Sequence, residues 1–192
     1  MKTLCIYCGS AAGTNPEYAA AARRLGRALA RLGLGLVYGG GRVGLMGIVA
    51  DAVLGSGGQA IGVIPEALAN EEVAHNGLTE LHVVADMHQR KALMARRADA
   101  FLTLPGGIGT FEEFFETLSW AALGLHRKPI GILNVAGYFD PLLSLLDHAV
   151  TERFLRPEVL NLLLVSTDPE ALVVELRDRA PAIGPRQRID FA

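Results

Sequence analysis

Short apolar runs alternate with longer amphipathic segments along most of the chain, which leaves few folds open to it. We expect strands near residues 3–8, 34–37, 60–64, 79–84, 100–104, 129–133 and 163–165. We expect helices at about 16–32, 44–56, 87–98, 111–124, 140–152 and 169–179, with Pro16 in the first turn of the first helix. Strands that alternate with helices form βαβ units around a parallel sheet. The pattern therefore predicts a layered α/β domain with about seven strands.

Length and composition indicate one compact unit. The 192 residues fit a single domain, and 51% hydrophobic with 20% charged residues are enough to bury a core. This composition argues against a disordered chain or a fibre. We place the domain at residues 1–180 and expect a flexible tail at 181–192, where prolines, glycine and arginines accompany little apolar content.

The charge balance excludes one class of partner. The chain has 18 basic and 20 acidic side chains, so no excess of cations is available to neutralise the phosphates of a nucleic acid. No apolar run reaches the ~18 to 20 residues of a membrane span, and Met1–Ile6 lacks the layout of a secretory signal. We therefore expect a cytoplasmic protein that binds neither nucleic acid nor membrane.

The cysteines and histidines do not predict a redox or metal centre. Cys5 and Cys8 have C-x-x-C spacing, but Cys5 lies inside an apolar run, so we expect both to pack in the core. The histidines at 75, 82, 88, 126 and 148 are scattered without metal-ligand spacing. No serine lies in G-x-S-x-G. We expect no catalytic metal, no cofactor and no serine nucleophile.

Three glycines follow the second predicted strand. Gly39, Gly41 and Gly44 satisfy G-x-G-x-x-G at a strand-to-helix turn, and residues without a Cβ let backbone amides approach a phosphate closely. The usual dinucleotide-binding version follows the first strand, however, and the acidic residue at the expected distance, Glu66, comes directly after Pro65. A tight turn with no ligand is the alternative.

A second glycine-rich turn, Pro105–Gly109, lies between a predicted buried strand and a helix. Because ligands of parallel sheets bind beyond the carboxyl ends of the strands, the two turns can face one crevice. Thr110 and Glu113 also fit a capping box, which is a structural role. We expect the buried stripe of this helix to be Phe111, Phe114, Phe115 and Leu118. Glu113 and Trp120 would then lie on the opposite side, facing a cleft or a partner subunit.

A third helix carries two cations beside its apolar stripe. Asp86 is the expected N-cap. The apolar stripe is expected to consist of Met87, Met94 and Ala98. Helical spacing puts Arg90 and Lys91 on the two flanks of that stripe, where their charged groups can meet an anion. A surface salt bridge, with the stems packed on apolar surface, is the alternative.

Three segments together resemble the LONELY GUY (LOG) family: Y-G-G-G-R-V-G-L-M-G at 38–47, D-M-H-Q-R-K at 86–91 and L-P-G-G-I-G-T-F-E-E at 104–113. The last contains P-G-G-x-G-T-x-x-E, which is highly specific. Residues 8–10, 61–65 and 120–124 fall in the order that such proteins show, so the resemblance covers nearly the whole chain. It implies a Rossmann-like, doubly wound, mainly parallel sheet flanked by helices, in a homodimer or higher homo-oligomer.

The resemblance also implies an activity, the hydrolysis of the N-glycosidic bond of cytokinin riboside 5′-monophosphates to free base and ribose 5-phosphate. AMP is a candidate substrate as well. Position by position, Arg90 and Glu113 match the catalytic pair of the family. The matches to nucleotide-contacting positions are Glu72, Lys91, Gly107, Ile108, Gly109, Thr110 and Ser119. Gly40 and Gly41 are expected near the phosphate.

These assignments are chemically coherent. Cleavage of the bond leaves oxocarbenium-like positive charge on the ribose, which Glu113 would stabilise while it orients or deprotonates water. The amides at Gly107, Gly109 and Thr110 would bind the 5′-phosphate at a helix N-terminus. Arg90 would position the nucleotide and stabilise charge on the leaving purine.

The same residues leave other functions open. A non-catalytic nucleotide-binding or sensing module is the main alternative, although a sensor needs no carboxylate at the ribose. A nicotinamide-dependent oxidoreductase would leave the second glycine turn unexplained. The family has often carried a lysine decarboxylase label, but a pyridoxal enzyme needs a Schiff-base lysine, and Lys2, Lys91 and Lys128 are in no convincing setting.

Overall fold

The structure is a computed structural model that describes residues 1–69 and 74–180. Its seven strands are β1 (Thr3–Tyr7), β2 (Gly35–Tyr38), β3 (Ala60–Pro65), β4 (Glu80–Val84), β5 (Ala100–Thr103), β6 (Ile130–Leu133) and β7 (Leu163–Ser166). They form one parallel sheet in the order β4-β3-β2-β1-β5-β6-β7. The predicted doubly wound α/β fold is confirmed. The flexible tail expected at 181–192 lies outside the described residues.

The main helices lie within a few residues of their predicted positions. They are α1 (Pro16–Arg31), α2 (Gly44–Leu54), α4 (Met87–Arg97), α5 (Ile108–Ala122), α6 (Asp140–Thr151) and α8 (Pro169–Arg179). Three short helices were not predicted, because three or four residues carry no full helical period: α3 (Glu66–Ala69), α7 (Pro157–Leu160) and a 3-10 helix at Val135–Gly137. Within the described ranges, no helix is both long and apolar enough to cross a membrane.

Helices cover both faces of the sheet. Side chains alternate along each strand, so neighbours such as Leu4 and Cys5 enter different cores. One core packs the sheet against α1, α2 and α8, and the other packs it against α4, α5 and α6. Cys5 and Cys8 are both buried and unpaired, and burial raises the pKa of each thiol. The expectation that they pack in the core is confirmed.

The strand order changes direction at β1. The chain runs from β1 outward to β4 on one side and then returns to place β5 on the other side of β1. The loops that leave β1 and β5 therefore diverge, and such a switch point opens a crevice at the carboxyl ends of the strands. The Gly9 amide donates to the Pro105 carbonyl at 3.0 Å, which ties the two loops together at the base of this crevice.

The start of α5 differs from the sequence-based prediction. Gly107 is the N-cap, with extended backbone angles, and the helix begins at Ile108. Thr110 is therefore inside the helix rather than at its cap, and the predicted capping box is wrong. Among the described residues, no side chain caps this end of the helix.

The buried face of α5 also differs. Its buried residues are Thr110, Glu113, Phe114, Thr117 and Leu118, whereas Phe111 and Phe115 are half-buried on the flank. The two threonines are small enough to let the helix approach the sheet, and the Thr117 hydroxyl lies 3.0 Å from the Tyr7 hydroxyl. The prediction that Glu113 lies opposite the buried stripe is wrong, because the helix turns this carboxyl toward the sheet.

Candidate active site

A cavity of about 390 Å³ opens at the carboxyl ends of β1, β2 and β5. Its lining residues include Ile6, Cys8, Gly9, Ser10, Gly39, Gly41, Met46, Ile64, Leu68, Met87, Arg90, Gly107, Ile108, Gly109, Thr110, Glu112 and Glu113. Both glycine-rich turns thus face one crevice, as the sequence indicates. Met87 lines this cavity and is 40% exposed, so its predicted place in the apolar stripe of α4 is wrong.

Glu113 lies in the wall of this cavity with its side chain only 10% exposed. Burial raises its pKa to about 7, because an ionised carboxylate loses hydration there. The Arg90 guanidinium opposes this rise in pKa, and the Glu112 carboxylate adds to it. The balance leaves a carboxyl that exchanges a proton near neutral pH, which is the range useful for general acid and base catalysis.

Arg90 reaches the same cavity from α4. Its Nε donates to the Val63 carbonyl at 3.2 Å and its Nη2 to the Gly39 carbonyl at 3.5 Å. Its Nη2 also lies 3.9 Å from Oε1 of Glu113. The two carbonyls come from β3 and from the end of β2, so the sheet holds the planar guanidinium beside the carboxylate. Arg90 and Glu113 therefore form a preorganised pair.

Lys91 points away from this pair. Its ammonium lies 2.5 Å from a Glu112 oxygen and 3.0 Å from a Glu116 oxygen. Burial alone would lower the pKa of Lys91, but the two carboxylates hold it above its ordinary value. The anions beside Lys91 are thus two carboxylates of α5, so the salt-bridge alternative holds for Lys91. Arg90, in contrast, faces the cavity.

The N-termini of α2 and α5 are used differently. The amides of Leu45 and Met46, at the start of α2, donate to the Gly9 carbonyl at 3.0 and 3.3 Å. In the described part of the chain, no side chain caps α5, and Gly107, Ile108, Gly109 and Thr110 at its start all line the cavity. Uncapped amides at a helix N-terminus attract anions. The α5 end is therefore the better place for a phosphate.

Comparison with known proteins identifies the family. A family model described as "Possible lysine decarboxylase" matches residues 46–176. The chain belongs to this family. A relative from Rhodococcoides fascians, named cytokinin riboside 5′-monophosphate phosphoribohydrolase, is 53% identical over 177 residues, covering 92% of this chain and 89% of the relative. The enzyme of the same name, LOG7, from Arabidopsis thaliana is 48% identical over 180 residues, covering 94% and 83%.

The named relatives confirm the LOG resemblance noted in the sequence. Among solved structures, a molybdenum cofactor carrier protein from Chlamydomonas reinhardtii matches with a TM-score of 0.68 at 19% identity, covering 93% of this chain and 97% of the other. The molybdenum cofactor binding protein from Rippkaea orientalis matches with a TM-score of 0.67 at 22% identity, over 93% and 97%. At such identities these two structures show a shared Rossmann-like fold and no shared function.

The remaining predicted site residues do not all line the cavity. Gly41 lines the cavity, whereas Gly40, with φ +79°, is not among the lining residues found in the described ranges, and a Cβ on it would lie 3.3 Å from the Ile64 side chain. Ser119 is exposed on α5, outside the lining found in the described residues, and Lys91 is outside it too. Glu72 lies outside the described residues.

Sequence reasoning missed part of the cavity wall in this LOG-family chain. Cys8, Gly9 and Ser10 directly follow β1, and the rule that ligands bind beyond strand ends could have singled them out. Met46, Ile64 and Leu68 add an apolar wall that no local pattern distinguishes from core. In the residues that the structure describes, no group of three or more His, Cys, Asp or Glu side chains is placed to hold a metal.

Proposed function

We propose that this protein hydrolyses the N-glycosidic bond of cytokinin riboside 5′-monophosphates to free base and ribose 5-phosphate. The observation that carries the proposal is the buried Glu113–Arg90 pair, 3.9 Å apart, in a cavity that also contains an uncapped helix N-terminus. The names of relatives at 48% and 53% identity support the same activity. A carboxylate, a guanidinium and an anion site are what a nucleotide hydrolase needs.

The chemistry follows from these groups. As the bond between C1′ and the purine nitrogen breaks, its electron pair goes to the purine and positive charge develops on the ribose. The ionised Glu113 stabilises that charge and deprotonates the attacking water, whose oxygen bonds to C1′. Arg90 stabilises the negative charge on the purine, which takes up a proton from solvent as it leaves, and Glu113 returns to solvent the proton that it took from the attacking water. The side chains of Arg90 and Glu113 are only 12% and 10% exposed, so solvent screens these electrostatic effects weakly.

The phosphate fixes the nucleotide at a distance from the reacting bond. Amides at Ile108, Gly109 and Thr110 bind its oxygens at the positive end of the α5 dipole. Binding energy from this remote group holds C1′ beside Glu113, which lies in the next turn of the same helix. The apolar wall of Met46, Ile64 and Leu68 suits the purine ring.

Product analysis tests the proposed activity. Purified protein is incubated with isopentenyladenosine monophosphate or with AMP, and ribose 5-phosphate and free base are measured. We expect release from the cytokinin nucleotide, and comparison of the two rates shows whether plain AMP is a substrate. Binding of both nucleotides without release of base would favour the non-catalytic sensing module instead.

The lysine decarboxylase label is tested by adding pyridoxal phosphate. Formation of a Schiff base requires a neutral amine, but the carboxylates of Glu112 and Glu116 hold Lys91 in its charged form. The Lys128 ammonium donates a hydrogen bond to the Ala95 carbonyl at 2.7 Å and lies 5.8 Å from the Phe101 ring centroid. We expect no imine absorption band and no release of carbon dioxide from lysine.

The assembly and location of the protein belong to the same proposal. The family resemblance implies a homodimer or a higher homo-oligomer, and the sequence itself predicts a cytoplasmic location. Sedimentation equilibrium of the purified protein measures its mass directly. A mass near the 20.4 kDa of one chain would contradict the oligomer.

The pH dependence of the reaction is expected to report Glu113. The active form is the carboxylate, so kcat/KM should fall about tenfold per pH unit below the pKa of this group. Burial places that pKa at about 7 in place of 4.5, so the fall begins near neutral pH. A pH–rate profile from pH 5 to 9 checks this. A rate that stays constant down to pH 5 would contradict the role of an ionised Glu113.

A further inference from the structure

We propose that Gly39 is a positioning residue, whose lack of a side chain keeps the Arg90 guanidinium in its place beside Glu113. The inference rests on the proposed function for its effect on rate. Its geometry concerns only how the end of β2 and the side chain from α4 fit together. Arg90 is the group that touches the nucleotide, and Gly39 acts through it.

The space next to Gly39 is already occupied. A Cβ atom at this position would overlap the Nη2 atom of Arg90 and lie 3.2 Å from its Cζ. The same Nη2 donates to the Gly39 carbonyl at 3.5 Å, so the guanidinium would have to leave this contact to make room for a Cβ. The guanidinium therefore occupies the space that a side chain at residue 39 would need.

Backbone conformation does not explain this glycine. Gly40 and Gly44 have φ angles of +79° and +61°, which favour glycine, but Gly39 is not among the residues with positive φ. Alanine could therefore adopt the backbone conformation of residue 39. The conflict is with the side chain of Arg90, and secondarily with the Met46 sulfur at 3.1 Å, which is flexible.

Loss of this space changes the catalytic pair. To clear a methyl group, the guanidinium must move on the order of 1 Å, and a displacement of that size can reduce a rate by about 100-fold. The movement also breaks its contact with the Val63 carbonyl, which holds its Nε at 3.2 Å. Displacement of the cation away from Glu113 weakens the main influence that lowers the pKa of this carboxyl, so the low-pH limb of the pH–rate profile shifts to higher pH as well.

A double-mutant cycle on the full-length protein tests the inference. We expect Gly39→Ala to lower kcat by about 100-fold in the wild type and by less than about 2-fold in Arg90→Ala, since the residue it displaces is then absent. Any cost from contact with Met46 is common to both backgrounds and cancels. Equal losses on the two backgrounds, or no loss in the wild type, would overturn the inference.

Gly35→Ala is the matched control, because it lies at the other end of β2. A Cβ there would lie 3.4 Å from the Thr3 side chain and 3.7 Å from the Lys2 carbonyl, which are near-ordinary contact distances. We expect this variant to keep its activity and its pH–rate profile. A similar loss of rate in Gly35→Ala would show that alanine disturbs β2 in general and would also overturn the inference.

Thermal unfolding of the four proteins of the double-mutant cycle tests this inference without using enzyme activity. These are the wild type, Gly39→Ala, Arg90→Ala and the double variant. We expect Gly39→Ala to lower the Tm of the wild type and to change the Tm of Arg90→Ala less. If the wild type cleaves no nucleotide, the proposed function fails, while this cycle still decides whether the two residues are coupled. If Gly39→Ala does not fold, recovery of folding in the double variant supports the coupling, and an unfolded double variant contradicts it.

Discussion

Glu113→Gln is expected to lower kcat for a cytokinin riboside 5′-monophosphate by about 1,000-fold. The amide fills the same volume in the cavity wall, but it cannot ionise, so it neither stabilises a positive ribose nor accepts a proton from water. Because phosphate binding at the start of α5 is unaffected, KM should change much less than kcat. Steady-state release of ribose 5-phosphate measures both constants.

The control for this variant is Glu175→Gln, on the exposed surface of α8. It makes the same chemical change far from the cavity and should keep wild-type rates. If Glu113→Gln hydrolysed the nucleotide as fast as this control, the mechanism would be wrong even if the activity itself were present.

The same substitution should make the protein more stable at alkaline pH. The folded-state pKa of Glu113 is raised, so the wild-type protein is most stable where this group is protonated in both the folded and the unfolded state, and it loses stability as the pH rises from about 4.5 to about 7. Glutamine avoids that loss, and the gain at pH 8 relative to pH 4 is on the order of 3 kcal/mol. Denaturant unfolding of both proteins at the two pH values measures it. A gain that is equal at both would contradict the raised pKa.

Arg90→Ala is expected to lower kcat/KM by about 100- to 1,000-fold. In the proposed mechanism, the variant loses the cation that stabilises the departing purine. It also removes the main influence that lowers the pKa of Glu113, so the low-pH limb of the pH–rate profile should move to higher pH. Both effects are measured from pH–rate profiles of the variant and the wild type.

Two further variants define the role of Arg90. Arg24→Ala, on the exposed face of α1, is the control and should have wild-type kinetics. Arg90→Lys keeps the charge but lacks the planar group that contacts the Val63 and Gly39 carbonyls together, so we expect it to recover only part of the rate. A lysine variant as fast as the wild type would reduce the role of Arg90 to that of a simple charge.

Most of the fold could be predicted from the sequence. Apolar runs such as the one from Thr3 to Tyr7 and amphipathic segments such as the one from Pro16 to Arg31 carry their own periodicity, and both are elements of the structure. The predicted N-cap of α4 is also confirmed, since the Asp86 carboxylate accepts a hydrogen bond from the Gln89 amide at 2.8 Å. These features depend on residues within one or two turns of each other.

The rotation of α5 could not be predicted. Four large apolar residues suggested one buried face, yet the structure buries Thr110, Glu113 and Thr117 and leaves Phe111 on the flank, stacked on Tyr138 with ring centroids 6.5 Å apart. The face that a helix buries depends on the shape of the sheet beneath it and on contacts such as that between Thr117 and Tyr7. Those partners are 110 residues apart in the sequence.

The amino-acid sequence by itself determined the succession of strands and helices along the chain and the two glycine-rich turns. Its resemblance to the LOG family also indicated Arg90 and Glu113 as a pair. Tertiary structure alone decided that Arg90 enters the cavity while its neighbour Lys91 binds Glu112 and Glu116. It also decided that Glu113 is buried enough for its pKa to rise to about 7. The physical reason is range: periodicity and capping act between near neighbours in the chain, whereas burial and electrostatics depend on groups that only folding brings together.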